Sequence, residues 1–109
     1  MLINKINMRR SEVTESIAKA LKTVPYSIDA RLFGSEARGD AHADSDIDLL
    51  ILVDKPTVSP KDEDIIFDPL YQIELQTGIL INPLIMPKRE WGKMVTPFYI
   101  NVEKEGVSL

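Results

Sequence analysis

The 109-residue chain predicts an α+β fold, a small mixed β-sheet flanked by helices. Three observations carry that prediction. Apolar residues recur at helical spacing near the start, apolar runs of strand length lie at 26–33 and 46–53, and Pro or Gly residues punctuate the joins. The implied order is αββαβα with a short closing strand, which suits helices carried on one small sheet.

The first element spans 9–24. Val13, Ile17, Ala20, Leu21 and Val24 share one helical stripe, Ser11 and Thr14 are cap candidates, and Pro25 ends the helix. Residues 26–33 alternate through Ile28, Ala30 and Leu32 and read as a strand running into Gly34. A short helical turn is expected at 36–39, a polar loop at 40–45 and a strand at 46–53, close enough to the first strand to pair antiparallel. After a Pro-containing loop, Pro60 suits the first turn of a helix over 60–76, with Gly78 at its end and Pro69 expected to kink or divide it. Residues 79–86 form a third strand, restricted to an edge or a bulge because Pro83 has no N–H to donate. Short helices are expected at 87–93 and 97–104, and 106–109 closes the chain as a short strand.

Composition narrows the function. With no repeat and no Gly/Ser linker, residues 1–109 read as one domain. Hydrophobic residues make up 44% of the chain and charged residues 28%, enough to bury a core and unlike a disordered segment. The absence of cysteine excludes disulfides and thiolate metal sites and favours a cytoplasmic setting. A net charge of -4 argues against a broad nucleic-acid surface, which needs Lys and Arg to neutralise phosphates. No apolar stretch approaches the roughly 20 residues of a membrane span. Residues 1–5 lack the apolar core of a signal peptide, so neither insertion nor export is expected.

The chemistry concentrates between residues 32 and 53. Gly34 lets main-chain N–H groups approach a polyphosphate, and Ser35 adds a hydroxyl; the alternative is an ordinary strand-to-helix turn. Asp46 and Asp48 enter the apolar run 49–53, so on a strand their side chains project from the same face. Two carboxylates entering a buried strand would repel each other and lose solvation, a cost that a bound Mg²⁺ would relieve. Otherwise they are solvated edge charges or partners of Arg31 and Arg38. Asp44 falls in the loop and would lie outside the pair. Arg38 suits outer phosphates, or a salt bridge with Glu36 or Asp40. His42, the only histidine, reads as an exposed loop residue, and Trp91, Tyr71, Phe98 and Tyr99 read as core or interface residues.

The pattern Phe33-Gly34-Ser35, a short spacer, then Asp46-Ile47-Asp48 resembles the minimal nucleotidyltransferase family of the DNA polymerase β-like superfamily. Arg38-Gly39 and Ser45 match the fuller motif of its small prokaryotic members. The resemblance implies transfer of a nucleoside monophosphate, usually AMP from ATP, to a hydroxyl on a protein or small molecule. In that picture Gly34, Ser35, Arg38 and Ser45 bind the nucleotide, and Asp46 and Asp48 are catalytic and hold two Mg²⁺ ions, with Mn²⁺ as an alternative. The family commonly carries a third acidic residue on a later strand, where this chain offers Asn82 as a metal ligand; Glu74 is the nearest acidic substitute. An amide oxygen can ligate a metal but takes no proton at neutral pH, so whether the chain is an enzyme stays open. The alternative is a catalytically degenerate domain that binds nucleotide or serves as an antitoxin module. Family analogy places the acceptor on a separate chain, such as a helical HEPN-type toxin, and leaves a homo-oligomer open.

Overall fold

The computed structural model describes residues 10–109; the expected helix residue Arg9 and the segment 1–5 lie outside the described residues. The elements are α1 (Arg10–Leu21), β1 (Ile28–Phe33), α2 (Gly34–Arg38), β2 (Ile47–Val53), α3 (Pro60–Thr77), β3 (Ile81–Pro87), a 3₁₀ turn (Lys88–Glu90), α4 (Pro97–Glu105) and β4 (Val107–Ser108). The fold is α+β, and its sheet is mixed, in the order β3-β2-β1-β4. β1 runs antiparallel to both β2 and β4, while β2 and β3 are parallel.

The sheet has two unequal faces. On one, Ala30 and Leu32 of β1, Ile47, Leu49, Ile51 and Val53 of β2 and Ile81 of β3 pack against Val13, Ile17 and Leu21 of α1 and Ile66, Leu70 and Ile73 of α3. On the other, Leu50 and Leu52 meet Val102 of α4, with Phe33, Met86 and Trp91 at the margin. β2 therefore alternates between two packed layers and is fully enclosed from Leu49 onward.

Local chemistry sets the boundaries. α1 stops at Leu21, three residues short of the apolar stripe, and two tight backbone bonds to Ala20 and Lys19 turn the chain toward Pro25, which cannot continue a helix. Ser11 and Thr14 sit inside α1, where the Thr14 hydroxyl donates to the Ser11 carbonyl, so neither is its N-cap. α3 opens with a capping box: the Ser59 hydroxyl accepts from the Asp62 N–H, and the Asp62 carboxylate accepts from the Ser59 N–H. Asp62 also accepts from the Tyr26 hydroxyl at 2.6 Å and from Lys55 at 2.8 Å, tying α3 to the start of β1 and the end of β2. Those donors, Lys55 first, hold its carboxyl well below the usual carboxylate range.

Pro69 neither divides α3 nor ends it, because Ile66, Leu70 and Ile73 are buried on both sides of it and outweigh one missing backbone bond. Pro83 lies in an edge strand, as its missing N–H requires. The helix expected at 87–93 contracts to the 3₁₀ turn, beyond which Gly92 adopts φ +90°.

Candidate functional site

The site forms where β1 ends and β2 and β3 begin. Phe33 and Asp48 are partners across β1 and β2, and Asp48 and Asn82 are partners across β2 and β3. Register partners project from the same side of a sheet, and Asp46, two residues before Asp48, joins them. The Asn82 amide nitrogen donates to Asp46 Oδ2 at 3.1 Å and to Asp48 Oδ1 at 3.4 Å. The two carboxylates thus converge on one small volume.

That convergence is solvated. Asp46 is exposed and Asp48 half-buried, which corrects the expectation of carboxylates confined in a buried strand. The physical reason is topological: β2 begins only at Ile47, and burial on this face is complete only from Leu50 onward. Solvent exposure and the shared Asn82 donor lessen their repulsion without removing it.

Gly34 meets this pair from the side. It adopts φ +67°, and a Cβ there would collide with Asp48 Oδ2. Glycine is required on both counts: the left-handed backbone disfavours other residues, and the turn approaches the Asp48 carboxylate too closely to admit a Cβ. α2 follows as a single short turn, closed by bonds from the Gly39 and Asp40 N–H groups to the Ser35 carbonyl. Ser35 is half-buried within that turn.

Arg10, which sequence patterning did not single out, clamps the turn to the loop that delivers Asp46. Its guanidinium donates to Glu36 Oε2 at 2.7 Å and to the carbonyls of His42, Ala43 and Ser45 at 2.9–3.2 Å. Glu36 is therefore taken by Arg10, and Arg38 instead reaches Asp40 at 3.3 Å and Glu105 at 3.7 Å. No local signal identifies such a residue, since its partners lie 26 to 35 positions away.

The Ser45 hydroxyl accepts from the His42 N–H at 2.8 Å, so it shapes the loop from within. His42 and Asp44 are exposed. Glu74 is excluded as a member of the cluster: its carboxylate accepts from the Ile81 N–H at 2.8 Å, which holds it at the outer edge of β3.

A cavity of about 230 Å³ adjoins the carboxylates, lined by Gly34, Asp48 and Arg38 at one end and Phe98, Asn101 and Glu105 at the other. Phe98 is held edge-on by Phe33 at 5.3 Å and by Trp91 at 6.1 Å between ring centres. Of the aromatic residues expected in core or interface positions, Trp91 margins the second core layer, Tyr71 is exposed on α3, and Phe98 faces this cavity.

The donor set suits a hard divalent cation: two carboxylates that converge, plus an amide whose oxygen becomes available when the group turns over. Among the described residues no group of three or more His, Cys, Asp or Glu side chains could hold a metal, so further ligands would have to come from a bound phosphate or water.

Residues 14–107 match the model of the nucleotidyltransferase domain family. Two proteins of Methanocaldococcus jannaschii are similar: "Putative protein adenylyltransferase MJ0141", 42% identical over 72% of this chain and 74% of that protein, and "Putative protein adenylyltransferase MJ0604", 37% identical over 69% and 70%. A solved structure described as "Crystal structure of the toxin-antitoxin with AMP-PNP" superposes with a TM-score of 0.62 at 19% identity, covering 86% of this chain and 69% of that one, which supports the fold. By the extent of its family match and the identity of these relatives, the chain belongs to the nucleotidyltransferase domain family.

Proposed function

We propose that this chain transfers AMP from ATP to a hydroxyl group presented by a separate protein chain, with Mg²⁺ as the metal. The observation that carries this reading is the convergence of Asp46 and Asp48 on a single Asn82 donor, directly against the Gly34 turn. The names of the two archaeal relatives support protein as the acceptor class, and the description of the toxin-antitoxin structure suits a toxin as one such acceptor; the HEPN type comes from the sequence resemblance alone.

In the reaction the acceptor hydroxyl gives its proton to solvent at this open site, its oxygen bonds to the α-phosphorus, the bond from that phosphorus to the bridging oxygen breaks, and pyrophosphate leaves. Mg²⁺ held by Asp46 and Asp48 would neutralise phosphate charge and polarise the reacting oxygens. The chain supplies position. The backbone at Gly34 and the Ser35 hydroxyl would seat the triphosphate, and the Arg10 clamp keeps the loop that delivers Asp46 in register with that turn. Arg38 would release Asp40 and Glu105 to meet the outer phosphates.

Asn82 favours a second reading, a domain that binds nucleotide without turning it over, because an amide neither takes the acceptor's proton nor adds negative charge beside the metal. Incubation with labelled ATP, Mg²⁺ and a candidate acceptor separates the two: covalent label with pyrophosphate release marks the transferase, and binding without either marks the binder. Asn82→Asp is expected to raise transfer, or create it, since the side chain already lies on the face of Asp46 and Asp48. An aspartate variant that binds no more metal than wild type would remove position 82 from the site.

A further inference from the structure

We infer that the cavity between Gly34 and α4 is an adenine-selective base pocket, read by Asn101 and walled by Phe98. The inference rests on the triphosphate reading above and extends it to the part of the nucleotide that reading leaves unplaced.

The cavity is continuous with the phosphate-side turn and the carboxylates, because Gly34 and Asp48 line one end of it. Its volume of about 230 Å³ falls below the roughly 300–1,000 Å³ that encloses a whole ligand. It suits a planar base whose phosphates lie outside against the turn. Its walls are apolar where a base has faces: Phe33 and Val102 line it, and Phe98 is 42% exposed there although two neighbouring rings fix its edges. A ring fixed at its edges and open on the cavity side offers a stacking surface at little entropic cost.

Selectivity follows from Asn101. It lines the same cavity with an exposed side chain, and its amide makes no hydrogen bond with the described residues, which leaves it available to a ligand. An amide presents one donor and one acceptor side by side, which complements the adenine pair of N6–H₂ and N7; guanine presents two acceptors, O6 and N7, at the corresponding edge. Arg38 and Glu105 pair at 3.7 Å at the exposed rim, so when Arg38 turns to the phosphates the interior still discriminates by shape and by this one amide.

The test is calorimetric titration of the full chain, with Mg²⁺ present, against ATP, GTP and inorganic tripolyphosphate. Wild type is expected to bind ATP at least about tenfold more tightly than GTP or tripolyphosphate. Asn101→Ala should bring ATP down to the GTP level, a loss of roughly tenfold, with tripolyphosphate unchanged. Phe98→Leu should weaken ATP and GTP together by about tenfold and likewise spare tripolyphosphate. Tripolyphosphate binding with no preference among the nucleotides, or an ATP-to-GTP ratio that survives Asn101→Ala, overturns the base pocket alone. Failure of tripolyphosphate and both nucleotides to bind overturns the triphosphate site, and the base pocket with it. Circular dichroism melts of both variants keep a folding defect from passing as a binding defect.

Discussion

The two faces of the sheet are built from the same strands and do different work. Against α1 and α3, alternate residues of β2 from Ile47 to Val53 are fully buried in a continuous aliphatic layer. On the opposite face, α4 covers Leu50 and Leu52 but leaves the end carrying Asp46, Asp48 and Asn82 open to solvent. One strand thus commits its odd positions to the core and leaves the first of its even positions, Asp48, open beside Asp46 and Asn82. Because side chains alternate strictly, a substitution on one face can be made with little disturbance of the other.

The largest expected effect belongs to the closed face. Ile51 is completely buried, and Ile51→Ala should cost about 2–5 kcal/mol through lost burial and the cavity left behind. In a chain of this length that lowers the thermal midpoint by roughly 10 °C or more. Leu84, 41% exposed on the other face, should lose no more than about 0.5 kcal/mol on change to Ala. Differential scanning calorimetry of the pair measures the asymmetry directly, and equal losses would erase it.

The next effect inverts the pattern. Asp48→Asn removes a charge from the open end, where its side chain supports no core residue. Its thermal midpoint should hold or rise, because the repulsion from Asp46 is gone. Affinity for ATP with Mg²⁺ should fall by more than the roughly 10–100-fold seen when only an outer partner of a metal ligand is lost. Undiminished affinity in a folded Asp48→Asn protein would show that the open end is merely unfinished surface.

How much of this was legible in the sequence divides along the same line. The strands, the antiparallel pairing of β1 with β2, the helix opening at Pro60 and the edge placement of Pro83 follow from spacing and from local backbone chemistry. The same-face placement of Asp46 and Asp48 follows from strand periodicity, and Asn82 meets them once the register is known. The degree of burial was misread, because a continuous apolar run says how strand residues are covered but not where along the strand the cover begins. Arg10 and the cavity beside α4 were invisible: each depends on partners brought together only by the tertiary fold.

Smaller than the aspartate effect is that of Ser35→Ala, which removes one hydroxyl from the turn and no core contact. A neutral hydrogen bond is worth about 0.5–1.5 kcal/mol, which corresponds to roughly a two- to tenfold loss of triphosphate affinity. Titration with tripolyphosphate reads it, and wild-type affinity would leave the backbone alone as the cradle.

The smallest effect is acid loosening of α4, the element that half-covers the open face. Glu103 accepts from the Trp91 indole N–H at 2.6 Å and from Arg31 at 2.7 Å. These donors, the indole first, hold its carboxyl below the ordinary value of 4.5. A carboxylate whose folded pKa is depressed stabilises the fold fully above its unfolded value, and that contribution disappears as pH falls through the folded value. Docking of α4 should therefore be complete at neutral pH and weaken only below about pH 4.5. Asp62 on the closed face is depressed further from its ordinary 3.8, so its anchoring of α3 should persist to lower pH. Trp91 is the sole tryptophan, and its contacts with Glu103, Phe98 and Tyr99 make its emission a reporter of α4 docking. On acidification that emission should shift before the circular dichroism signal is lost, and Glu103→Gln, which keeps an acceptor but no titration, should flatten the early shift. Coincident loss of both signals in wild type, unchanged by Glu103→Gln, would mean that the two faces melt as one unit.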